Sequence, residues 1–239
     1  MSNSPLTGAA LVSNTAPAGF PGLEPLTGKH VTLERLVQKH YADLWENLGS
    51  QINVWTWWPD EPCSTASEFD KYLDDFLKVS NDLVIYAVIP LSGPNKGKAH
   101  GLGLGMSEDR LTNRIAEMGL FYGPKLQGTR AGTEVVYLIA GLLFDLNHRR
   151  LAWRTNSLNL QSRKAAERYG FFHEGTLRQH QIDKGRNRDT VWYSIIDSEW
   201  PICKKAFEKW LEDENFDGEG RQMSRLEVIR EGLKKKSTS

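Results

Sequence analysis

Gly119-Leu120-Phe121-Tyr122-Gly123-Pro124, then Gln127-Gly128-Thr129-Arg130-Ala131-Gly132, is the stretch whose reading decides the fold. The residues before Gly123-Pro124 read as the end of a strand. After the turn, Val135, Leu138, Ile139, Leu142 and Leu146 mark one face of an amphipathic helix, and a second strand from His148 to Asn156 leads to Asn159. A helix start leaves amide hydrogens unpaired, small residues let a phosphate approach, and the helix dipole favours its charge. Such a turn cradles a diphosphate beside two strand ends without a metal. Coenzyme A suits it better than other common cofactors, which points to an acyl-CoA enzyme.

Outward from this centre, Ile115 to Tyr122 and Val84 to Ile89 read as strands, the latter apolar throughout as if buried on both faces. Gly101, Gly103 and Gly105 superficially resemble a dinucleotide fingerprint, but no helix pattern follows, so His100 to Met106 is read as a glycine-rich strand. Val31 and Leu33 open the folded part in a first strand, and Lys39 to Leu48 reads as a short helix. Thr65-Ala66-Ser67-Glu68 has capping-box spacing ahead of a helix bearing Phe69, Leu73, Phe76 and Leu77. Gln161 to Tyr169 reads as a helix ended by Gly170, and Pro201 opens a last one to Leu211. Between them Glu174 to Asp183 and Thr190 to Asp197 are expected to pair as a hairpin through Lys184 to Asn187.

At 239 residues the chain suffices for one core. Residues 1–25 are rich in Ser, Thr, Ala, Gly and Pro and are expected to be a disordered arm; 26–212 form the domain; 213–239 are expected to be a charged, solvated tail. Lys plus Arg number 30 and Asp plus Glu 30, so no global field holds nucleic acid or an anionic membrane. Neither a bilayer-spanning apolar run nor a signal peptide is visible, which makes the cytoplasmic compartment the expected address. Cys63 and Cys203 lack metal-ligand spacing, so no metal is expected.

With these elements in order, the chain resembles the GNAT acetyltransferases, in particular the branch containing the RimJ/RimL-type ribosomal-protein enzymes. The resemblance spans about Leu26 to Leu211 and is carried by Glu117-Met118-Gly119, Pro124, Gly132-Thr133-Glu134, Asn159, Ser162, Gly170-Phe171, Glu174-Gly175-Thr176-Leu177-Arg178 and Glu199-Trp200. It implies an α+β fold: a mixed, twisted sheet flanked by helices, whose splayed central strands admit the pantetheine arm of acetyl-CoA as if it were another strand. Leu120, Phe121 and Tyr122 would line that arm. Gln127, Gly128, Thr129, Arg130, Ala131, Gly132 and Thr133 would surround the pyrophosphate. The family usually has Gly where this chain has Arg130, whose side chain either crowds the phosphates or pairs with one. Asn159 bonds pantetheine or caps a helix. Ser162 would face the sulfur, and Arg163, Lys164 and Arg168 form a basic face for the nucleotide phosphate or a merely solvated one.

Amine acetylation needs a neutral amine, a polarised carbonyl and a proton for the thiolate. An alkylammonium titrates at about 10.4, so a base must take its proton. Glu117 is the candidate base, weighed against a structural carboxylate bonded to backbone or a neighbouring Arg. Many relatives place a proton-donating Tyr seven residues beyond Asn159, where this chain has Ala166; solvent, Ser162 or Tyr122 is left to protonate the sulfur. A backbone N–H near Tyr122 is expected to polarise the carbonyl.

For the acceptor, Trp55, Trp57 and Trp58 beside Asp60 and Glu61 would bind a small organic amine through aromatic walls and negative charge, or simply cover the sheet. His180 and Asp183 are further candidates, and Arg186 and Arg188 could meet substrate or a partner subunit in a homodimer. The reading is an acetyl-CoA-dependent N-acetyltransferase of a small-molecule amine. Its alternatives are a peptide N-terminus as acceptor, or a non-catalytic CoA-binding module.

Overall fold

The structure, a computed structural model, describes residues 15–237. Among them eight strands form one sheet in the order β1-β2-β3-β4-β5-β6-β8-β7. They are β1 (Leu26–Thr27), β2 (Val31–Arg35), β3 (Leu83–Pro90), β4 (Gly101–Asp109), β5 (Ile115–Tyr122), β6 (Arg150–Asn156), β7 (Phe172–Asp183) and β8 (Arg186–Ile196). Neighbours are antiparallel except β5 and β6, which run parallel.

One face carries α3 (Arg130–Asp145), α4 (Leu160–Tyr169) and α5 (Trp200–Leu211). Val135, Ile139 and Leu143 of α3 and Phe207 of α5 are buried there against Val84, Met118 and Leu151. The glycines of β4 lie under this layer: a Cβ at Gly103 would stand 2.8 Å from Cδ1 of Ile139, so α3 needs glycine there to sit so close. The opposite face carries α1 (Tyr41–Leu44), extended by a 3-10 turn before it and a π turn after it, and α2 (Ala66–Phe76). Thr65 caps α2 by accepting from the Glu68 amide at 3.2 Å, as its spacing foretells. Leu44, Leu48, Phe69 and Leu73 pack there on Ile85, Leu102 and Phe121.

The strand pair that matters is β5 and β6. They bond only at Ile115–Arg150, Ala116–Leu151 and Glu117–Ala152. Beyond that each is held by its other neighbour, β5 by β4 as far as Tyr122 and β6 by β8 as far as Asn156, so the two diverge without losing order.

Both chain ends differ from the expectation. Residues 1–14 lie outside the described part, but 15–25 are laid onto the domain. Ala18 is buried with its amide on the Arg110 carbonyl, Gly19 bonds Leu146, and Arg35 donates to the carbonyls of Pro21 and Gly22. Main-chain pairing and one Arg hold a segment whose side chains bury little. The expected solvated tail is also corrected: a 3-10 turn at Asp213–Asn215 and α6 (Leu226–Ser237) pack on the domain. Leu226 is buried, and buried Arg230 donates to the carbonyls of Arg168 at 2.7 Å and Glu167 at 3.1 Å. The hairpin turns at Lys184-Gly185 alone, both with positive φ, so Arg186 to Asp189 belong to β8 rather than to a loop.

Candidate active site

The divergence of β5 and β6 opens a cleft of about 1220 Å³ through the molecule. That exceeds the roughly 300–1,000 Å³ of a site for one small ligand and leaves room for an extended cofactor and a second substrate. Leu120, Phe121 and Tyr122 form one wall along β5, and Trp153 to Asn156 face them from β6.

At one end stands the helix start read from the sequence. Thr129 caps α3, its hydroxyl oxygen accepting from the Gly132 amide at 3.0 Å while its carbonyl accepts from Thr133 at 3.1 Å. Among the described residues the amides of Gln127, Gly128, Arg130 and Ala131 donate to no acceptor, which suits the helix start to an anion. Gly128 adopts φ +71°, and a Cβ at Gly132 would lie 2.6 Å from the Leu126 carbonyl oxygen. The side chain of Gln127 turns back to the Tyr122 carbonyl at 3.0 Å. Gln127, Gly128, Thr129, Arg130, Gly132 and Thr133 all border the cleft. Ala131 does not; it borders a second, smaller hollow with His30 and Pro90.

Across the cleft, the Asn159 side chain accepts from the Ser162 amide at 3.1 Å, a helix cap that also borders the cleft. The Ser162 hydroxyl accepts from Nε1 of Trp153 at 3.0 Å. Indole nitrogen is a donor only, so the Ser162 proton stays available to the cleft. Arg168 lines the cleft and donates to the Thr133 hydroxyl at 3.2 Å. Arg163 is corrected: five residues earlier on α4 and so on a different face, it donates to the Ser157 carbonyl and the Tyr193 hydroxyl and does not reach the cleft. Ala166 is fully buried under the sheet, so the usual tyrosine position here faces the core.

Glu117 stands at the last paired residue before the strands part and lines the cleft. Arg154, two residues beyond its partner Ala152 and therefore on the same face, grips one carboxylate oxygen. Arg154 also reaches Glu108 at 3.3 Å and lies over the Trp192 ring at 4.8 Å. Burial pushes its guanidinium down while the Glu108 charge pushes it up. The neighbouring-Arg alternative is thus what the geometry displays, with Glu117 still facing the cleft. Tyr122 is corrected as a proton donor. Its hydroxyl donates to the Gly132 carbonyl at 2.9 Å, and burial, with Tyr169 beside it, pushes the phenol well above its usual value.

At the acceptor end Trp57 is exposed and Trp58 half-buried, and both line the cleft. Trp58 stacks on Phe121 with centroids 4.2 Å apart and donates to the Tyr72 hydroxyl, which donates in turn to Asp60 at 3.0 Å. Trp55 is corrected: it is fully buried, with its Nε1 on the Gly49 carbonyl at 2.9 Å and Phe121 edge-on. In the 3-10 turn Ile52–Trp57 the indoles of Trp55 and Trp57 diverge, and Trp58 follows in extended conformation, so only one side of the turn faces the cavity. His180 reaches the cleft because β7 bulges between Leu177 and Gln181, with Gln179 at φ +50° and its amide on Asp189. Its Nδ1 lies 3.0 Å from the Thr190 hydroxyl. Asp183 is engaged by Arg188 at 2.8 Å. Lys184, at the hairpin tip, donates to the Trp55 carbonyl at 2.8 Å and ties the hairpin to the aromatic turn.

A strand pair parted over a capped helix start is also the setting in which known proteins match this one. The sequence profile described as Acetyltransferase (GNAT) domain matches residues 30–172. The chain belongs to the GNAT acetyltransferase family. A solved GCN5-related N-acetyltransferase from Brucella melitensis is 38% identical with a TM-score of 0.85, covering 91% of this chain and 99% of that one. Among curated proteins, "Putative ribosomal N-acetyltransferase YdaF" of Bacillus subtilis (strain 168) is 26% identical over 179 residues, 72% of this chain and 94% of that protein. The spermidine N-acetyltransferase of Vibrio cholerae, solved with CoA and spermine, shares the fold at 20% identity and TM-score 0.58, over 72% of this chain and 98% of that one. The chain is therefore a GNAT-type acetyltransferase, with the mixed sheet and flanking helices that its sequence implied. No described helix is long and apolar enough to cross a membrane.

Arg154 and Trp153 were not singled out from the sequence. Alternation in Trp153-Arg154-Thr155 puts them on opposite faces, but the parallel register with β5 is needed to see that Arg154 meets Glu117.

Proposed function

We propose that the chain transfers the acetyl group of acetyl-CoA to the primary amine of a small molecule, by direct attack in a ternary complex. The residues fit the cofactor: free amides and close-approach glycine at the start of α3 suit its diphosphate, and the open edges of β5 and β6 suit its amide-bearing arm. Bound there, acetyl-CoA supplies the activated acyl group.

The observation that carries the small-molecule reading is the Lys184 bond to the Trp55 carbonyl, which bounds the acceptor end where a peptide would need an open groove. Glu117, the one carboxylate among the described residues that line the cleft, shares Arg154 with Glu108, so that Arg is divided between two acids and Glu117 is left to meet a cationic amine. Glu117 takes the ammonium proton, the amine attacks the acetyl carbon, and the carbon–sulfur bond breaks. The attacking nitrogen sheds its remaining excess proton to the Ser162 hydroxyl as that hydroxyl gives its own proton to the leaving thiolate, so Ser162 ends unchanged; the Tyr122 hydroxyl is already committed to the Gly132 carbonyl. A peptide N-terminus is the second reading, favoured by the name of the Bacillus subtilis relative.

A thiol-release assay over small amines, polyamines and short peptides tests this. Release with small amines and none with peptides is expected; peptide-only release transfers the assignment to protein N-termini. Glu117→Gln is expected to cut turnover about 100-fold or more with unchanged acetyl-CoA affinity. Unchanged turnover removes Glu117 from the mechanism.

A further inference from the structure

We infer that the segment from Trp210 to Gln222, which lies beyond the matched residues 30–172, is a working part of the cofactor site: an aromatic clamp that presents Arg130 and Arg168 to the nucleotide phosphates of coenzyme A. This rests on the acetyl-CoA reading above and adds a specificity element to that site.

Arg130 is the first residue of α3, at the mouth of the cradle. Its guanidinium lies over the Phe216 ring, 3.2 Å from the centroid, and pairs with Asp213 at 3.1 Å. Arg168, across the mouth, lies 4.7 Å from the centroid of Trp210. The two rings are coupled. Phe216 meets Trp210 edge-on at 5.0 Å, and Gln222 both bridges to the Phe216 backbone and accepts from the Trp210 indole at 2.8 Å. Arg130, Arg168, Trp210, Phe216 and Gln222 all border the cleft.

A guanidinium stacked by its face keeps its edge donors for oxygen acceptors, and a stacked Arg is ordered before the ligand arrives. Asp213 is 78% exposed, so its pair with Arg130 is a weak surface contact that a phosphate at the helix start can displace. The segment is fixed from behind: Asn215 bonds the carbonyls of Trp210 and Ser224, and Arg230 anchors α6 to the end of α4. The Arg130 side chain at the mouth of the cradle is thus supported by a surface that the segment after α5 builds for it.

The test is calorimetric titration of the full chain, at one salt concentration, with CoA, 3′-dephospho-CoA and pantetheine. Phe216→Ala is expected to weaken CoA about tenfold, weaken 3′-dephospho-CoA less, and leave pantetheine unchanged. Phe216→Tyr, which keeps the ring, is expected to retain wild-type affinity and controls for folding. Equal CoA affinity in Phe216→Ala and wild type, or an equal loss for pantetheine, overturns the clamp while wild-type CoA binding keeps the acetyl-CoA reading. A wild-type chain that binds none of the three overturns both.

Discussion

Glu134 offers the sharpest test of how this cleft is held. Its carboxylate is 2% exposed and accepts three consecutive main-chain amides from the turn before β2: Lys29 at 2.8 Å on one oxygen, His30 at 2.6 Å and Val31 at 3.0 Å on the other. This joins the first turn of α3, directly behind the cradle, to the edge of the sheet. In Glu134→Gln the amide keeps one accepting oxygen. At best it holds His30 and Val31 through neutral rather than charged bonds, a loss of about 1 kcal/mol each. The Lys29 amide then faces an NH₂ and goes unsatisfied, costing about 1–3 kcal/mol more. The sum is about 3–5 kcal/mol, which for a chain of this size lowers Tm by about 6–20 °C. Urea unfolding and thermal melts measure it directly. Acetyl-CoA affinity measured well below Tm is expected to persist, because the cradle amides are not those Glu134 holds. A Tm within 1 °C of wild type would refute the reasoning, since it would mean that three buried donors are satisfied without the carboxylate.

Tyr122→Phe removes one hydroxyl bond to Gly132; stability is expected to fall by about 1 kcal/mol with turnover nearly unchanged, and a loss of about 100-fold in kcat would return the phenol to catalysis. Ser162→Ala is expected to do the opposite, lowering kcat about 100-fold at constant acetyl-CoA affinity; equal kcat would assign the thiolate's proton to solvent. Trp57→Ala should raise the acceptor KM with little change in Tm, whereas Trp55→Ala should cost about 3–5 kcal/mol of stability; reversal of the two would invert the assignment of wall and core.

Local pattern was sufficient for much of this molecule. Helical periodicity, the Thr65 to Glu68 cap, the glycine at the end of α4 and the turn from Gln127 to Gly132 are each contained within a few residues, because caps, turns and amphipathic faces depend on neighbours three or four positions apart. The family resemblance rested on the same short motifs. What failed to read was what depends on distant partners. Three tryptophans within four residues look alike in sequence, yet Trp55 is drawn into the core by the Gly49 carbonyl and Phe121 while Trp57 stays outside. Polar composition suggested a loose start and a loose tail, because a few long-range contacts, such as Ala18 to Arg110 and Arg230 to α4, leave no periodic trace.

The sequence by itself thus determined the class of fold, through short motifs shared with a family, and the place of the capped helix start at Thr129, since a cap depends on hydrogen-bond deficits and side-chain size within one turn. Only the tertiary structure decided which groups face one another across the cleft: Arg154 on Glu117, Lys184 on Trp55, Phe216 under Arg130. Those pairs join residues tens of positions apart, and strand register together with chain return, rather than local preference, brings them into contact.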